Sequence, residues 1–176
     1  ALSEIAYACA STAVVMSVHN SIVCESIHRY GSHEQKEKYL FPLTSVEAIG
    51  AFALTEPHAG SDPVAQTTTA VRDGDSYVLN GNKCFITSGS NAGIIIVTAK
   101  TDEITPHKGI SAFIIPQGTP GLKVGHIENK MGLRASDTTD LILENCRIPV
   151  EDRLGEEGQG FKIAMTGLDC GRIGIA

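Results

Sequence analysis

The spacing of apolar residues changes twice along the chain, and this change constrains the fold more than any single motif does. Up to residue 49, apolar and small residues such as Ile5, Cys9 and Met16 follow a helical spacing of three and four. Beyond Ile49, short β-prone runs alternate with Gly, Pro, Asn and Asp, and the helical spacing returns after Gly158. The sequence therefore predicts an α+β multidomain chain with a β unit between helical blocks.

The local signals predict individual elements within this plan. One helix is expected over Leu2 to Ile27, and a second begins at the capping residue Ser32, with Gln35 three positions later and Pro42 at its exit. Asn80-Gly81 lies between two β-prone runs and predicts a hairpin. Strands are expected near 50–54, 65–71, 75–79, 83–88, 93–99, 109–115, 121–127 and 139–147. Their regular spacing is typical of a sandwich or barrel.

We expect three domains from these elements. Residues 1–49 form the end of an N-terminal helical domain, and residues 50–156 form a middle antiparallel β-barrel or sandwich domain. Residues 157–176 form the start of a C-terminal helical-bundle domain. Since the first residue is Ala1 and the last stretch is helical without a stop signal, we expect the chain to be a fragment.

Composition excludes several classes of function. The net charge is -6 and the basic residues are scattered, so the chain has no electrostatic footprint for nucleic acid or an anionic membrane. No apolar run approaches the length of a membrane span, so we expect a soluble protein. The five cysteines include no CxxC pair. They therefore predict buried free thiols and neither a disulfide framework nor a metal site.

The stretch "TEPHAGSD" has the residue types of a ligand-binding loop. Pro57 fixes a turn, Gly60 permits close approach, and Thr55 and Ser61 offer amides and hydroxyls to a phosphate or the polar edge of a ring. The lysine of a P-loop and the GxGxxG of a dinucleotide fold are both missing from it. Its two carboxylates, at positions 56 and 62, are more typical of turn caps than of a general acid and base.

Three other stretches carry polar groups, each with two interpretations. Phe85 and Thr87 alternate with Ile86, so a ring and a hydroxyl on one strand face suit a planar ligand or are ordinary strand residues. In "MGLRASDTTD", the arginine and aspartates predict a polar network or a structural turn that feeds an edge strand. Asp169 and Arg172 are three apart on a helix and are typical of a surface ion pair.

Four segments in this order resemble the acyl-CoA dehydrogenase family. "FALTEPHAGSD" is similar to its signature loop and "NGNKCFITSG" to its flavin-contacting hairpin. "MGLRASDT" is similar to its middle-domain motif and "LDCGRIGIA" to the start of its C-terminal helical domain. Together with "FKIAM", the last segment resembles the short-chain, butyryl-CoA type most closely. The resemblance covers essentially the whole chain.

The resemblance implies an FAD site and part of an acyl-CoA site. The residues implied to bind FAD are Phe52, Ala53, Leu54, Thr55, Glu56, Pro57, His58, Ala59, Gly60, Ser61, Phe85, Ile86 and Thr87. Within this set, Leu54 and Thr55 offer amides to the pyrimidine edge, Thr87 bonds close to N5 and Phe85 covers the ring. The residues implied to bind acyl-CoA are Ser61, Thr101, Asp169 and Arg172.

The resemblance also implies the reaction. A carboxylate removes the α-proton while the β-hydride goes to flavin N5, which gives a trans-2-enoyl-CoA in fatty acid β-oxidation. Electrons then pass to an electron-transfer flavoprotein. The implied assembly is a homotetramer in the bacterial cytoplasm or the mitochondrial matrix. The implied glutamate base lies beyond Ala176, so we expect no catalytic residue here and a fragment that is inactive alone. Acyl-CoA oxidase and a non-catalytic flavin or acyl-CoA binding module are the alternatives.

Overall fold

Helices occupy the chain up to Thr44 in the computed structural model, which describes residues 1–102 and 104–176. The helical elements are α1 (Leu2–Ala8), α2 (Ala10–Ser17), a π-helical segment (Val18–Cys24), α3 (Glu25–Tyr30), α4 (His33–Gln35), a second π-helical segment (Lys36–Leu40) and α5 (Phe41–Thr44). The continuous helix predicted to Ile27 is thus broken at Cys9, whose backbone is extended. Because α1 buries no residue, no core contact holds it in line with α2.

The capping signals of the second helical stretch are partly confirmed. The Gln35 amide donates to the Ser32 hydroxyl at 3.2 Å, and the Ser32 amide donates to the Gln35 side chain at 3.1 Å, so the predicted capping box is present. The predicted exit at Pro42 is wrong, because α5 continues to Thr44. Pro42 lies in the first turn of α5, where a missing amide proton is tolerated.

A mixed eight-stranded sheet follows the helices. Its strands are β1 (Gly50–Ala53), β2 (Thr69–Asp73), β3 (Ser76–Thr87), β4 (Ile94–Lys100), β5 (Ile110–Pro116), β6 (Leu122–Ile127), β7 (Thr138–Pro149) and β8 (Arg153–Leu154). The order is β6-β7-β3-β2-β4-β5-β8, and β1 pairs with β4. Most pairs are antiparallel, whereas β1 and β2 each pair in parallel with β4. The predicted fold class is confirmed.

The predicted hairpin at Asn80-Gly81 is wrong, because both residues lie inside the single strand β3. The chain turns earlier, between the paired residues Asp73 and Ser76. Gly74 begins this two-residue loop with a φ of +60°, a backbone conformation that glycine adopts without strain. The Gly74-Asp75 pair therefore makes the hairpin, and the Asn-Gly pair has a different role.

Gly81 is required by the close approach of Thr68, the residue before β2. A Cβ at this position would lie 2.4 Å from the hydroxyl oxygen of Thr68 and 2.7 Å from its Cα. Asn80 meets the opposite neighbour, β7, where the pairing register shifts. Its side-chain oxygen accepts from the Asn145 amide at 2.8 Å, which satisfies a donor that the irregular ladder leaves free.

The central strands β4 and β5 are buried on both faces. Ile95 and Val97 face a core that the sheet encloses, whereas Ile94 and Ile96 face a second core between the sheet and the helices. The residues of this second core are Val23, Cys24, Ile27, Tyr39, Leu43, Ile94, Ile96, Ala112, Ile114, Leu154 and Ile163. A strand buried on both faces shows a continuous apolar run, as in "IIIV".

The last element, α6 (Gly160–Ile175), packs against the first π-helical segment and β5.

No helix in the described part of the chain is both long and apolar enough to cross a membrane. The expectation of buried thiols holds for Cys24, Cys84 and Cys146. It is wrong for Cys9, which is exposed at the break between the first two helices, and Cys170 is half-buried.

Candidate functional site

The "TEPHAGSD" stretch is a compact loop that leaves the end of β1. The amides of Glu56 and Ala59 each donate to the other's carbonyl at 3.1 Å, so Pro57 and His58 form an exposed tip. Asp62 accepts from the Val64 amide at 3.1 Å and caps a short 3₁₀ turn. Asp62 is therefore a turn cap, as its spacing favoured.

A buried ion pair lies beneath this loop. The Lys83 ammonium is 2.8 Å from a carboxylate oxygen of Glu56, and the two side chains are 0% and 2% exposed. Lys83 also donates to the Leu54 carbonyl at 3.0 Å and to the side chains of Gln66 and Thr98 at 3.1 and 3.4 Å. One ammonium thus connects the loop to the interior of the sheet.

Further hydrogen bonds hold the carboxylate of this pair. Glu56 accepts from the amide and hydroxyl of Thr67 at 2.6 and 2.9 Å and from the Thr68 amide at 3.1 Å. Burial alone would raise the pKa of Glu56, but the Lys83 charge and these bonds outweigh burial and lower that pKa to about 2. Burial lowers the pKa of Lys83 to about 8 against the opposing charge of Glu56.

The loop contacts the second predicted segment through the backbone. The Cys84 amide donates to the Thr55 carbonyl at 2.9 Å. At this point β3 bulges, because its register with β7 shifts between Lys83 and Ile86. Phe85 takes a positive φ of +59° in the bulge and is 62% exposed, whereas Ile86 is buried. The structure therefore places an exposed aromatic ring beside the loop.

The open side of this arrangement is rich in hydrogen-bond donors. No backbone carbonyl among the described residues accepts from the amides of Leu54, Thr55 or Ser61. Thr87 is half-buried at the end of β3 and adds a hydroxyl. Amides and hydroxyls beside an exposed ring suit a planar ligand whose edge carries oxygen and nitrogen acceptors. The residues present therefore fit the isoalloxazine ring of a flavin.

The members of the predicted FAD set differ in exposure. The half-buried residues are Phe52, Leu54, Thr55 and Thr87, and the exposed residues are Pro57, His58, Gly60, Ser61 and Phe85. The buried residues are Ala53, Glu56, Ala59 and Ile86, and Glu56 turns its carboxylate into the protein. A locked, ionised carboxylate is unsuited to accept a substrate proton. Sequence reasoning did not identify the other members of the buried cluster, which are Lys83, Gln66 and Thr98.

The predicted acyl-CoA residues lie in three places. Ser61 is exposed on the loop. Thr101 shares a hydrogen bond of 2.9 Å with Ser111, which also accepts from the Gly158 amide at 2.9 Å. Asp169 and Arg172 form an exposed ion pair of 3.2 Å on α6. No hydrogen bond or ion pair within the described ranges joins these three places.

In "MGLRASDTTD", the predicted polar network is only partly present. Asp137 accepts from the amide and hydroxyl of Ser90 at 3.1 and 2.8 Å, so it joins its loop to the turn after β3. Arg134 donates to the Lys130 carbonyl at 2.9 Å within its own loop. No bond joins Arg134, Asp137 and Asp140 to one another among the described residues. The structural-turn interpretation describes this stretch better, but its edge strand is wrong, because β7 pairs with β3 on one side and with β6 on the other.

Comparison with known proteins identifies the family of the chain. The N-terminal domain model of acyl-CoA dehydrogenases matches residues 1–47, and the middle domain model matches residues 51–146. The mitochondrial short-chain specific acyl-CoA dehydrogenase of Mus musculus is 54% identical over 176 residues, which are 100% of this chain and 43% of the mouse protein. The chain therefore spans less than half the length of this relative.

Solved structures give the same result. Butyryl-CoA dehydrogenase from Megasphaera elsdenii has a TM-score of 0.97 and 46% identity, over 98% of this chain and 45% of that one. A glutaryl-CoA dehydrogenase from Mycobacterium smegmatis in complex with FADH2 has a TM-score of 0.84 and 41% identity, over 92% of this chain and 40% of that one. Since the middle domain model alone matches more than half of its residues, the chain belongs to the acyl-CoA dehydrogenase family.

Proposed function

We propose that the protein containing this chain catalyses FAD-dependent α,β-dehydrogenation of a short-chain acyl-CoA to the trans-2-enoyl-CoA. The observation that carries the proposal is the contact between the two predicted flavin segments. The Cys84 amide joins the Thr55 carbonyl at 2.9 Å and Lys83 joins the Leu54 carbonyl at 3.0 Å. Identity of 54% with a short-chain specific relative supports the substrate class.

The residues around this contact would hold FAD. The amides of Leu54 and Thr55 would donate to the pyrimidine edge, and the Thr87 hydroxyl would donate near N5. Phe85, which is 62% exposed, would cover the ring and exclude water from one face. Bound FAD would supply the acceptor for the β-hydride. The glutaryl-CoA dehydrogenase complex with FADH2 supports this choice of cofactor.

For the acyl-CoA we propose contacts at Ser61, Thr101, Asp169 and Arg172. A thioester carbonyl must be polarised by hydrogen bonds before its α-proton becomes acidic enough to remove. We assign no catalytic base among the described residues, since Glu56 is held in its ion pair. The base would come from elsewhere in the assembled enzyme.

The remaining parts of the proposal concern the whole protein. We propose domain boundaries after residues 49 and 156, transfer of electrons to an electron-transfer flavoprotein, and a homotetramer. We also propose a location in the mitochondrial matrix or the bacterial cytoplasm, and the mitochondrial mouse relative supports the first of these. Separate matches of the N-terminal domain model to residues 1–47 and of the middle domain model to residues 51–146 support the boundary after residue 49.

An anaerobic visible spectrum of the whole protein, recorded before and after addition of butyryl-CoA, tests the proposal. We expect flavin absorbance that bleaches when butyryl-CoA is added. Flavin that does not bleach would contradict the substrate assignment, and a colourless protein would contradict the flavin site. Hydrogen peroxide formed on turnover in air would identify an oxidase. If acyl-CoAs bind reversibly and none of them bleaches the flavin, the protein is a binding module.

A further inference from the structure

The buried cluster around Lys83 fixes the direction of one peptide in the loop. The Leu54 carbonyl accepts from the Lys83 ammonium at 3.0 Å, so this carbonyl points into the protein. A trans peptide is planar, and its N–H and C=O point in opposite directions. The N–H of the same peptide belongs to Thr55, and it therefore points away from the buried cluster.

The next peptide is fixed from the same strand. The Thr55 carbonyl accepts from the Cys84 amide at 2.9 Å, so the side chain of one residue of β3 and the backbone of the next hold two consecutive peptides. No backbone carbonyl of the described chain accepts from the Thr55 amide, and Thr55 is half-buried. The result is a donor that is oriented before any ligand arrives.

We propose that Lys83 is a positioning residue, which turns the peptide between Leu54 and Thr55 so that the Thr55 amide faces the bound flavin. This inference rests on the proposed function. A donor that is already oriented needs no rearrangement on binding, and its hydrogen bond is therefore stronger than that of a mobile loop. Glu56 has a secondary part, because it neutralises the buried cation without contacting the ligand.

The arrangement also explains why a lysine occupies the interior of a sheet. A buried ion pair gives little net stability compared with an apolar pair of similar volume, so stability alone does not account for it. An apolar side chain at position 83 would fill the space but would offer no donor to the Leu54 carbonyl. The ammonium, with three donors, reaches the loop, the Glu56 carboxylate and Gln66 at once.

Two variants of the whole protein, which differ from each other only at position 83, isolate the contribution of the Lys83 amine. Glu56→Gln keeps the amine, which donates to the Leu54 carbonyl even when it is neutral. Lys83→Met/Glu56→Gln removes the amine and leaves no unpaired buried charge. We expect the FAD dissociation constant of Glu56→Gln to stay within about twofold of the wild type, and that of the double variant to rise about tenfold.

A spectroscopic readout separates positioning from a purely structural role. The loss of an oriented donor at the pyrimidine edge would shift the flavin absorbance maximum and the reduction potential of the double variant, but not those of Glu56→Gln. Equal dissociation constants, spectra and potentials in the two variants would overturn the inference. The control is Arg147→Met/Asp73→Asn, which removes an exposed ion pair with the same change of charge and would leave all three quantities unchanged.

A measurement on the wild type covers the case in which the double variant does not fold. We expect the Thr55 amide to exchange with deuterium in the FAD-free protein and to become protected when FAD is added. A Thr55 amide that is already protected, or that FAD leaves unprotected, would overturn the inference. A wild-type protein that holds no flavin would overturn the proposed function first, so the two failures are distinguishable.

Discussion

Replacement of Lys83 by methionine should lower the free energy of unfolding, because it removes one partner of the buried ion pair. The variant leaves the Glu56 carboxylate 2% exposed and without its cation. Removal of one partner of a buried pair costs about 3–5 kcal/mol. With a urea dependence of about 2 kcal/mol per molar, we expect the unfolding midpoint to fall by about 1.5–2.5 M at pH 7. The assay is urea unfolding of the whole protein followed by circular dichroism at fixed concentration.

We expect loss of both partners to be nearly neutral for stability. Replacement of both partners of a buried ion pair leaves no unpaired charge in the interior, and the change in stability is often small. The two ionised groups also affect folding in opposite directions, because the pKa of Glu56 is lowered to about 2 whereas burial lowers the pKa of Lys83 to about 8. Lys83→Met/Glu56→Gln should therefore unfold near the wild-type midpoint.

The pH dependence of the stability lost in Lys83→Met tests whether an unpaired Glu56 carboxylate is the cause of that loss. In the wild type, the folded pKa of Glu56 lies below its unfolded value, so its contribution is present above pH 4.5 and is lost as the pH falls towards 2. In Lys83→Met, burial is the largest remaining influence and raises the pKa of Glu56, so protonation relieves the variant. Its deficit relative to the wild type should therefore shrink between pH 7 and pH 4. A constant deficit would refute the reasoning.

Three further changes test other parts of the structure. Thr87→Val should slow flavin reduction by butyryl-CoA in stopped-flow absorbance, since it removes the proposed donor near N5, and unchanged kinetics would contradict that role. Arg172→Ala should weaken acyl-CoA binding in a titration. If only the thermal stability changes, Arg172 and Asp169 form a surface ion pair without a role in binding. Gly81→Ala should cost about 1–3 kcal/mol because its Cβ meets Thr68, whereas Gly132→Ala has open space and should leave the thermal midpoint unchanged.

Features set by neighbouring residues could be predicted from the sequence. The capping box at Ser32 and Gln35 depends on four consecutive residues, and it is present as predicted. Most strands lie within a few residues of their predicted ranges, because their apolar runs match their burial. The break at Cys9 could not be predicted, since the sequence does not show that α1 buries no residue.

Both site segments could be identified as candidates, but their contact could not. Residues 54–61 have loop chemistry, and residues 83–87 combine a ring with a hydroxyl. The bond between the Cys84 amide and the Thr55 carbonyl depends on β3 passing beside the end of β1. Such a contact between distant segments follows from the order of strands in the sheet, which local spacing does not determine.

The wrong prediction of a turn at Asn80-Gly81 also predicts the wrong environment for Lys83. A hairpin there starts a new strand, and a lysine near its beginning is an ordinary solvent-exposed residue. If the strand is continuous, the buried residues Tyr77 and Leu79 fix the inward face, and the period of two places Lys83 on that face. A lysine on an inward face requires a carboxylate partner in the interior. Glu56, set in an otherwise compact loop, is that partner at 2.8 Å. The corrected strand therefore leads directly from the sequence pattern to the buried pair that holds the site.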